Sequence, residues 1–184
     1  FMITELDTES RNVGLKMNIH KTKVMCYSLS RKQHFAIGGE TLEVVKEYVY
    51  LGQVITAEPN HVSEITRRIG MGWITFGKHS QIKNGSLPLT LKRKVHNSSI
   101  LPVITYEGGT WRLTKRVQLK LRTTQRAMER KMIGVTLRDK KRAEWIREKT
   151  GAKDITVEIK KKKWTWAGHV ACSQDNHWSL RVAD

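Results

Sequence analysis

The sequence predicts an α+β fold, with a short mixed α/β segment over residues 1–57 followed by a mostly α-helical segment over residues 58–184. Three observations predict it: alternating apolar and polar residues are confined to the first part, apolar stripes of helical period fill the second, and the turn-forming run Ala57-Glu58-Pro59-Asn60 separates them. With 39% hydrophobic residues in 184, the chain can bury a modest core.

Ile3, Leu6, Ser10 and Val13 recur at helical spacing, and Gly14 supplies a residue that commonly stops a helix. Phe1-Met2-Ile3 already lies inside that pattern with no cap ahead of it, which reads as a segment of a longer domain. Residues 16–27 carry Met17, Ile19, Val24 and Cys26 with polar residues interleaved, the pattern of a strand, and Phe35-Ala36-Ile37 leads into a Gly38-Gly39 turn. Residues 42–55, rich in Val and Tyr, predict another strand or a pair interrupted near Lys46 and Glu47.

Beyond the turn, Val62, Ile65, Ile69, Trp73 and Phe76 share one helical face, with Arg67, Arg68 and Lys78 pointing elsewhere. A second helix starts at Pro88, carries Leu91, Val95 and Ser98, and is expected to be disrupted at Pro102. Val117, Leu121, Thr124, Met128 and Met132 form the longest amphipathic stripe, ended by Gly134, with basic residues around the rest of the helix. Residues 138–149 predict a shorter helix closed by Gly151, and residues 154–166 a last one capped by Asp154.

Lys and Arg number 34 against 17 Asp and Glu, a net charge of +17 that points to a polyanionic partner. No apolar run approaches membrane-spanning length, so a nucleic-acid binder inside the cell, in nucleus or cytoplasm, is expected in place of a membrane protein. Cys26 and Cys172 lie far apart, with no disulfide framework. There is no nucleophile elbow, no H-E-x-x-H and no phosphate loop, which disfavours an enzyme with a complete site. His169, Cys172 and His177 give three zinc-capable residues, one short of a closed structural site, so no metal is assigned.

What remains is basic residues interleaved with aromatics: Lys160, Lys161, Lys162 and Lys163 run into Trp164 and Trp166, and Trp178 and Arg181 follow. Ammonium groups neutralise phosphates, and exposed indoles stack on unpaired bases. Trp166 and Trp178 read as well as core side chains of the terminal subdomain. A frayed helix end would present the four lysines together, so replacing them by Gln is expected to weaken binding more than replacing Lys115, Arg116, Lys120 and Arg122.

At Gly14-Leu15-Lys16-Met17-Asn18, followed by Lys21-Thr22-Lys23, the chain resembles the segment after the catalytic Asp-Asp motif in reverse transcriptases of LINE-type (non-LTR) retrotransposons that also encode an endonuclease. Tyr48-Val49-Tyr50-Leu51-Gly52 resembles the family's F-x-Y-L-G. Glu64-Ile65 with Arg67-Arg68-Ile69 resembles its E-I-x-x-R-I, and Leu101-Pro102-Val103-Ile104-Thr105-Tyr106 with Thr110-Trp111 its L-P-V-L-T-Y-G-x-E-T-W. The likeness continues through Gln125-Arg126-Ala127-Met128-Glu129-Arg130 and Trp145-Ile146-Arg147 to Trp164-Thr165-Trp166-Ala167-Gly168-His169-Val170, and so covers essentially the whole chain.

The resemblance implies the end of a polymerase palm over residues 1–57 and a helical thumb with a C-terminal extension over residues 58–184. It implies a primer-grip role for Tyr50, Leu51 and Gly52, and places Lys21 and Lys23 near the incoming nucleotide's phosphates. Arg67, Arg68, Lys160, Lys161, Lys162, Lys163 and Trp164 are the expected nucleic-acid contacts, with RNA and DNA backbones of template and primer as partners. For Lys21, Lys23, Tyr50 and Leu51, ordinary solvated or core positions are the alternative.

Two departures stand out. The A-D-D motif that holds the parent enzyme's Mg2+ ions belongs upstream of Phe1 with the rest of palm and fingers, so this chain is expected to hold no cofactor and no catalytic residue. Asp7, on a helix and expected at the solvent, does not replace it. Glu107 stands where the family has glycine, Gly109 where it has glutamate, and Cys172 and His177 where it has arginine, which reads as decay of an element copy. A stand-alone basic RNA- or DNA-binding protein and a functionless relic are the rival expectations.

Overall fold

The computed structural model describes residues 2–26, 34–57, 61–84 and 87–172. Expectations for residues 58–60, His177, Trp178 and Arg181 lie outside the described residues. The fold is α+β and mostly helical, and it divides into two compact units, Phe1–Asn60 and His61–Asp184.

In the first unit, helix α1 spans Met2–Asn12 and stops at Gly14, whose φ of +77° suits a residue without a Cβ. Its inward face is Ile3, Asp7 and Ser10, not the predicted stripe, and Leu6 and Val13 stay exposed. Asp7, expected at the solvent, is buried and pairs with Arg11 at 3.0 Å one turn on. The expected strand over residues 16–27 shrinks to β1, Lys23–Val24. A local turn competes with it: Asn18 accepts from the Lys21 N–H at 3.1 Å, and Thr22 Oγ1 donates to the Asn18 carbonyl at 2.8 Å.

Strand β2 (Ala36–Ile37) pairs antiparallel with β3 (Glu40–Thr41) across Gly38 and Gly39, whose positive φ values make the two-residue turn. Strand β4 (Glu43–Val44) lies parallel to β1, with Lys23 opposite Glu43 and Val24 opposite Val44. Strands β5 (Glu47–Tyr50) and β6 (Gln53–Thr56) form an antiparallel hairpin closed by Leu51-Gly52. The break near Lys46 is where patterning places it; the second turn is not signalled, because Leu is not a turn-forming residue.

The second unit is a helical assembly around one core: Ile65, Ile69 and Phe76 of α2 (His61–Lys78), Ile82 of α3 (Ser80–Asn84), Ile100, Leu101 and Ile104, Trp111, Val117, Leu121, Met128 and Met132 of α6 (Lys115–Ile133), and Ile155 and Ile159 of α8 (Ile155–Ala171). Pro102 does not end its helix. Helix α4 (Leu89–Val95) passes into a single π-helical turn, His96–Ile100, and on into α5 (Leu101–Ile104), so the proline's missing donor falls at the start of a segment already out of α register. Helix α2 packs on α5 closely enough that a Cβ on Gly72 would come within 2.3 Å of Ile104 Cγ1.

Helix α6 is capped by Thr114, which accepts from the Val117 N–H at 3.3 Å, and ends at Gly134. The helix expected from residue 138 starts only at α7, Ala143–Thr150. Thr136 and Asp139 instead form a capping box around a short 3-10 turn, Leu137–Asp139. Asp154 caps α8, which runs to Ala171, beyond the predicted end at 166.

Candidate nucleic-acid interface

The β5–β6 hairpin carries Tyr50, Leu51 and Gly52 at its tip, and its side chains are little covered: Val49, Tyr50 and Leu51 are 57%, 56% and 76% exposed. Leu51 takes φ +48° and Gly52 φ +79°, the pair of left-handed residues that a tight hairpin turn demands. The ribbon thus shows large side chains to solvent along β5 and at its tip.

Lys23 lies half-buried on β1 with its ammonium paired to Glu43 on the neighbouring strand. That carboxylate neutralises the charge expected to meet a phosphate. Lys21 is exposed, in the turn before β1, and its ammonium has no partner among the described residues.

Arg67 and Arg68 converge on one carboxylate. Glu64, buried on α2, receives Arg67 Nε at 2.8 Å and Arg68 Nε at 2.7 Å. Arg68 is itself 4% exposed, with its guanidinium 4.2 Å from the centre of the Tyr106 ring. The sequence places Arg68 on the outer face; it points inward, because Glu64 one turn earlier supplies the charge that lets a guanidinium be buried. Arg67 keeps 32% of its side chain exposed, and its hydrogen bond to Glu64 raises its pKa further.

Helix α8 is continuous through residues 160–163, so there is no frayed end, and four consecutive residues spread over about 300° of the circumference. Lys162 donates to the Thr105 carbonyl at 2.7 Å and Lys163 to the Trp111 carbonyl at 2.8 Å, fastening α8 to the connection after α5. Partial burial lowers the Lys162 pKa against the opposing charges of Glu107 and Glu158. Lys161 pairs with Glu158 at 3.2 Å, and Lys160 is exposed. Trp164 is 77% exposed, within a helical turn of both Lys160 and Lys161. Trp166, which spacing also allows in the core, is 58% exposed, because α8 continues past Ile159, its last core residue.

The connection that α8 grips has two glycines at close contact. A Cβ on Gly108 would lie 3.2 Å from Ile159 Cγ1, and one on Gly109 3.6 Å from the Lys162 carbonyl oxygen. Glu107 has φ +53°, the left-handed conformation for which the family pattern's glycine is suited.

A buried polar network, not signalled by spacing, ties the start of α8 to the rest of the bundle. Gln125 donates to the Lys153 carbonyl at 2.6 Å and accepts from the Ile155 N–H at 2.9 Å. Glu129 is fully buried against Arg126; burial raises its pKa despite that neighbour. Burial also works against the Asp154 carboxylate, but bonds from Thr156 and Val157 and the charge of Arg147 outweigh it and hold the pKa down. Gln125 and Glu129 flank the Leu121 and Met128 stripe, the one trace of their burial visible in the sequence.

Among the described residues no group of three His, Cys, Asp or Glu side chains comes together, and no helix is long and apolar enough to cross a membrane. Cys26 and Cys172 are both free, and the chain contains no adjacent aspartate pair.

No protein-family model matches the chain, and no solved structure does. The chain is 32% identical, over 191 aligned positions, to an uncharacterized transposon-derived protein of Caenorhabditis elegans, and the match spans 100% of this chain and 68% of that relative. The chain belongs to this family of transposon-derived proteins.

Proposed function

We propose that this chain is the palm-end and thumb portion of a LINE-type reverse transcriptase, which grips the backbones of template and primer and does not itself polymerise. The observation that carries this reading is the β5–β6 hairpin. The block resembling the family's primer grip falls on a tight turn whose tip, Tyr50 and Leu51, is apolar and exposed. Order and chemistry elsewhere support it: the helical unit follows directly, and Lys160, Lys161 and Trp164 share a neighbourhood on α8 where phosphate neutralisation and base stacking combine.

The test is fluorescence anisotropy with a DNA primer annealed to a longer RNA template, measured across a salt series. Affinity is expected to fall steeply with salt, by about 0.9 log unit per log unit of salt for each phosphate neutralised on a B-form duplex. The recessed primer end is expected to bind more tightly than a blunt duplex, and Tyr50→Ala with Leu51→Ala to erase the preference. Salt-independent binding, or a preference unaffected by those substitutions, defeats the reading. The chain alone is expected to extend no primer with magnesium or manganese.

A further inference from the structure

A shallow concavity of about 530 Å3 opens beside the π-helical turn of the second unit. Thr90, Arg93, Lys94, Asn97 and Ser98 line one wall, and Lys153, from the connection between α7 and α8, forms the other. The first five recur three or four residues apart on α4 and the π turn, which brings them to one face.

The walls are held by bonds that leave the charges unused. The Lys153 N–H donates to Asn97 Oδ1 at 3.2 Å, and its carbonyl accepts from Gln125 at 2.6 Å, so the backbone of Lys153 is anchored on both sides. Asn97 Oδ1 also faces His96 Nδ1 at 3.2 Å, and the group left over on that side chain is its NH2, a donor. Gly151, at φ +59°, makes room for Arg93: a Cβ there would come within 2.8 Å of the guanidinium Nη1.

No acceptor-only side chain lines this surface, and among the described residues none of Arg93, Lys94 and Lys153 is ion-paired. The contrast with the predicted basic residues is direct. Arg67 and Arg68 share Glu64, Lys23 has Glu43, Lys162 and Lys163 are spent on carbonyls, and Arg126 and Arg147 face Glu129 and Asp154. Three unneutralised cations, a side-chain amide and two hydroxyls converge on one hollow. Such a donor set suits a tetrahedral oxyanion.

We infer that this concavity is a backbone-phosphate site, taking one phosphodiester of a nucleic-acid strand without reading its bases. The inference rests on the proposed function for the class of its ligand, and on this geometry for its place. The hollow is open to solvent and wider than a single phosphate requires, so a strand can pass through it with its sugars on either side. A phosphodiester oxygen reaches Arg93 and Lys94 from one wall and Lys153 from the other.

The test uses the full chain and the primer–template duplex in anisotropy, with two variants of equal charge. Arg93→Gln with Lys94→Gln and Lys153→Gln removes the concavity's cations; Arg112→Gln with Lys115→Gln and Arg116→Gln removes three exposed cations elsewhere. The first is expected to lose affinity on the order of tenfold at low salt and to lower the salt slope by about one, the second to lose much less. In the unmutated chain, the Asn97 side-chain NH2 resonances are expected to shift on adding a short oligonucleotide. Lys94→Gln alone, at an exposed side chain with no bond to lose, gives the same direction should the triple variant unfold.

Equal losses in the two triple variants overturn the inference while leaving the proposed function standing. Asn97 resonances that move with inorganic phosphate and not with the oligonucleotide also overturn it, by making the hollow a small-anion site. If the unmutated chain binds no duplex at all, both fall together.

Discussion

Leu51 holds φ +48° at a position where Asn or Gly closes a hairpin at little cost, and a left-handed conformation costs an ordinary side chain about 1 to 2 kcal/mol. Its side chain is 76% exposed. Leu51→Asn is therefore expected to slow amide exchange at Tyr50 and Gln53, the hydrogen-bonded pair that flanks the turn, and to weaken binding at a primer end. Unchanged exchange would show that the turn is unstrained. His96 supplies a second prediction at this scale. It is fully buried, and burial, aided by the charge of Arg126 and opposed by its bond to Asn97, lowers its pKa from the usual 6.5. Between the folded value and 6.5 the unfolded chain binds more protons, so stability is lost as pH falls through that window. The raised pKa of Glu129 acts with the opposite sign, reducing stability as pH rises above its ordinary 4.5. Comparing His96→Gln with the unmutated chain isolates the histidine: urea midpoints are expected to fall less in the variant between about pH 7.5 and about pH 5.5. Identical falls would mean that another group governs acid sensitivity.

Among the elements, α8 divides its lysines between two tasks. Lys162 and Lys163 bond carbonyls of Thr105 and Trp111, whereas Lys160 is exposed and Lys161 pairs with Glu158 at the surface. Replacing Lys162 and Lys163 by Gln is expected to lower thermal stability, by about 1 kcal/mol for each lost bond. Replacing Lys160 and Lys161 by Gln is expected to leave melting unchanged and to weaken duplex binding; the reverse pattern would mean that the helix is docked by another face. The apolar stripes of α2 and α6 and the glycines after α1, α6 and α7 made these elements legible, because a 3.6-residue period and a left-handed stop are local properties. The hairpin turn at Leu51, the π turn before Pro102 and the inward turn of Arg68 were not, since each depends on partners that folding brings into place. The candidate interface follows the same division. Basic clusters can be read from a sequence, but whether a cation is already neutralised cannot, and Lys153 reaches the wall of Arg93 and Lys94 only through the packing of α6, α7 and α8.

Across the whole molecule, apolar burial is unevenly shared. Among the described residues the first unit buries Ile37 and Leu42 as large apolar side chains, while the second has a continuous core of fourteen residues from Ile65 to Ile159. Each buried aliphatic or aromatic side chain contributes roughly 1.5 to 3 kcal/mol against the entropy of ordering the chain, so the second unit has by far the larger favourable term. The first unit's strands are short ribbons of two to four residues, paired two at a time, which leaves its backbone bonds close to solvent. Local opening should therefore be cheaper before α2 than within the helical unit, and cleavage follows opening when closing is fast. Brief digestion of the full chain with trypsin is expected to cut first at Arg11, Lys16, Lys21 and Lys46, and to leave a protected fragment that begins at Glu47, since no Lys or Arg lies between Lys46 and Arg67 in α2. Duplex nucleic acid is expected to slow the cuts in the first unit as well, since the hairpin gains a surface to press on. Equal rates of cutting in both units would mean that the helical core is loosely packed, and the relic would then be the better description of this chain.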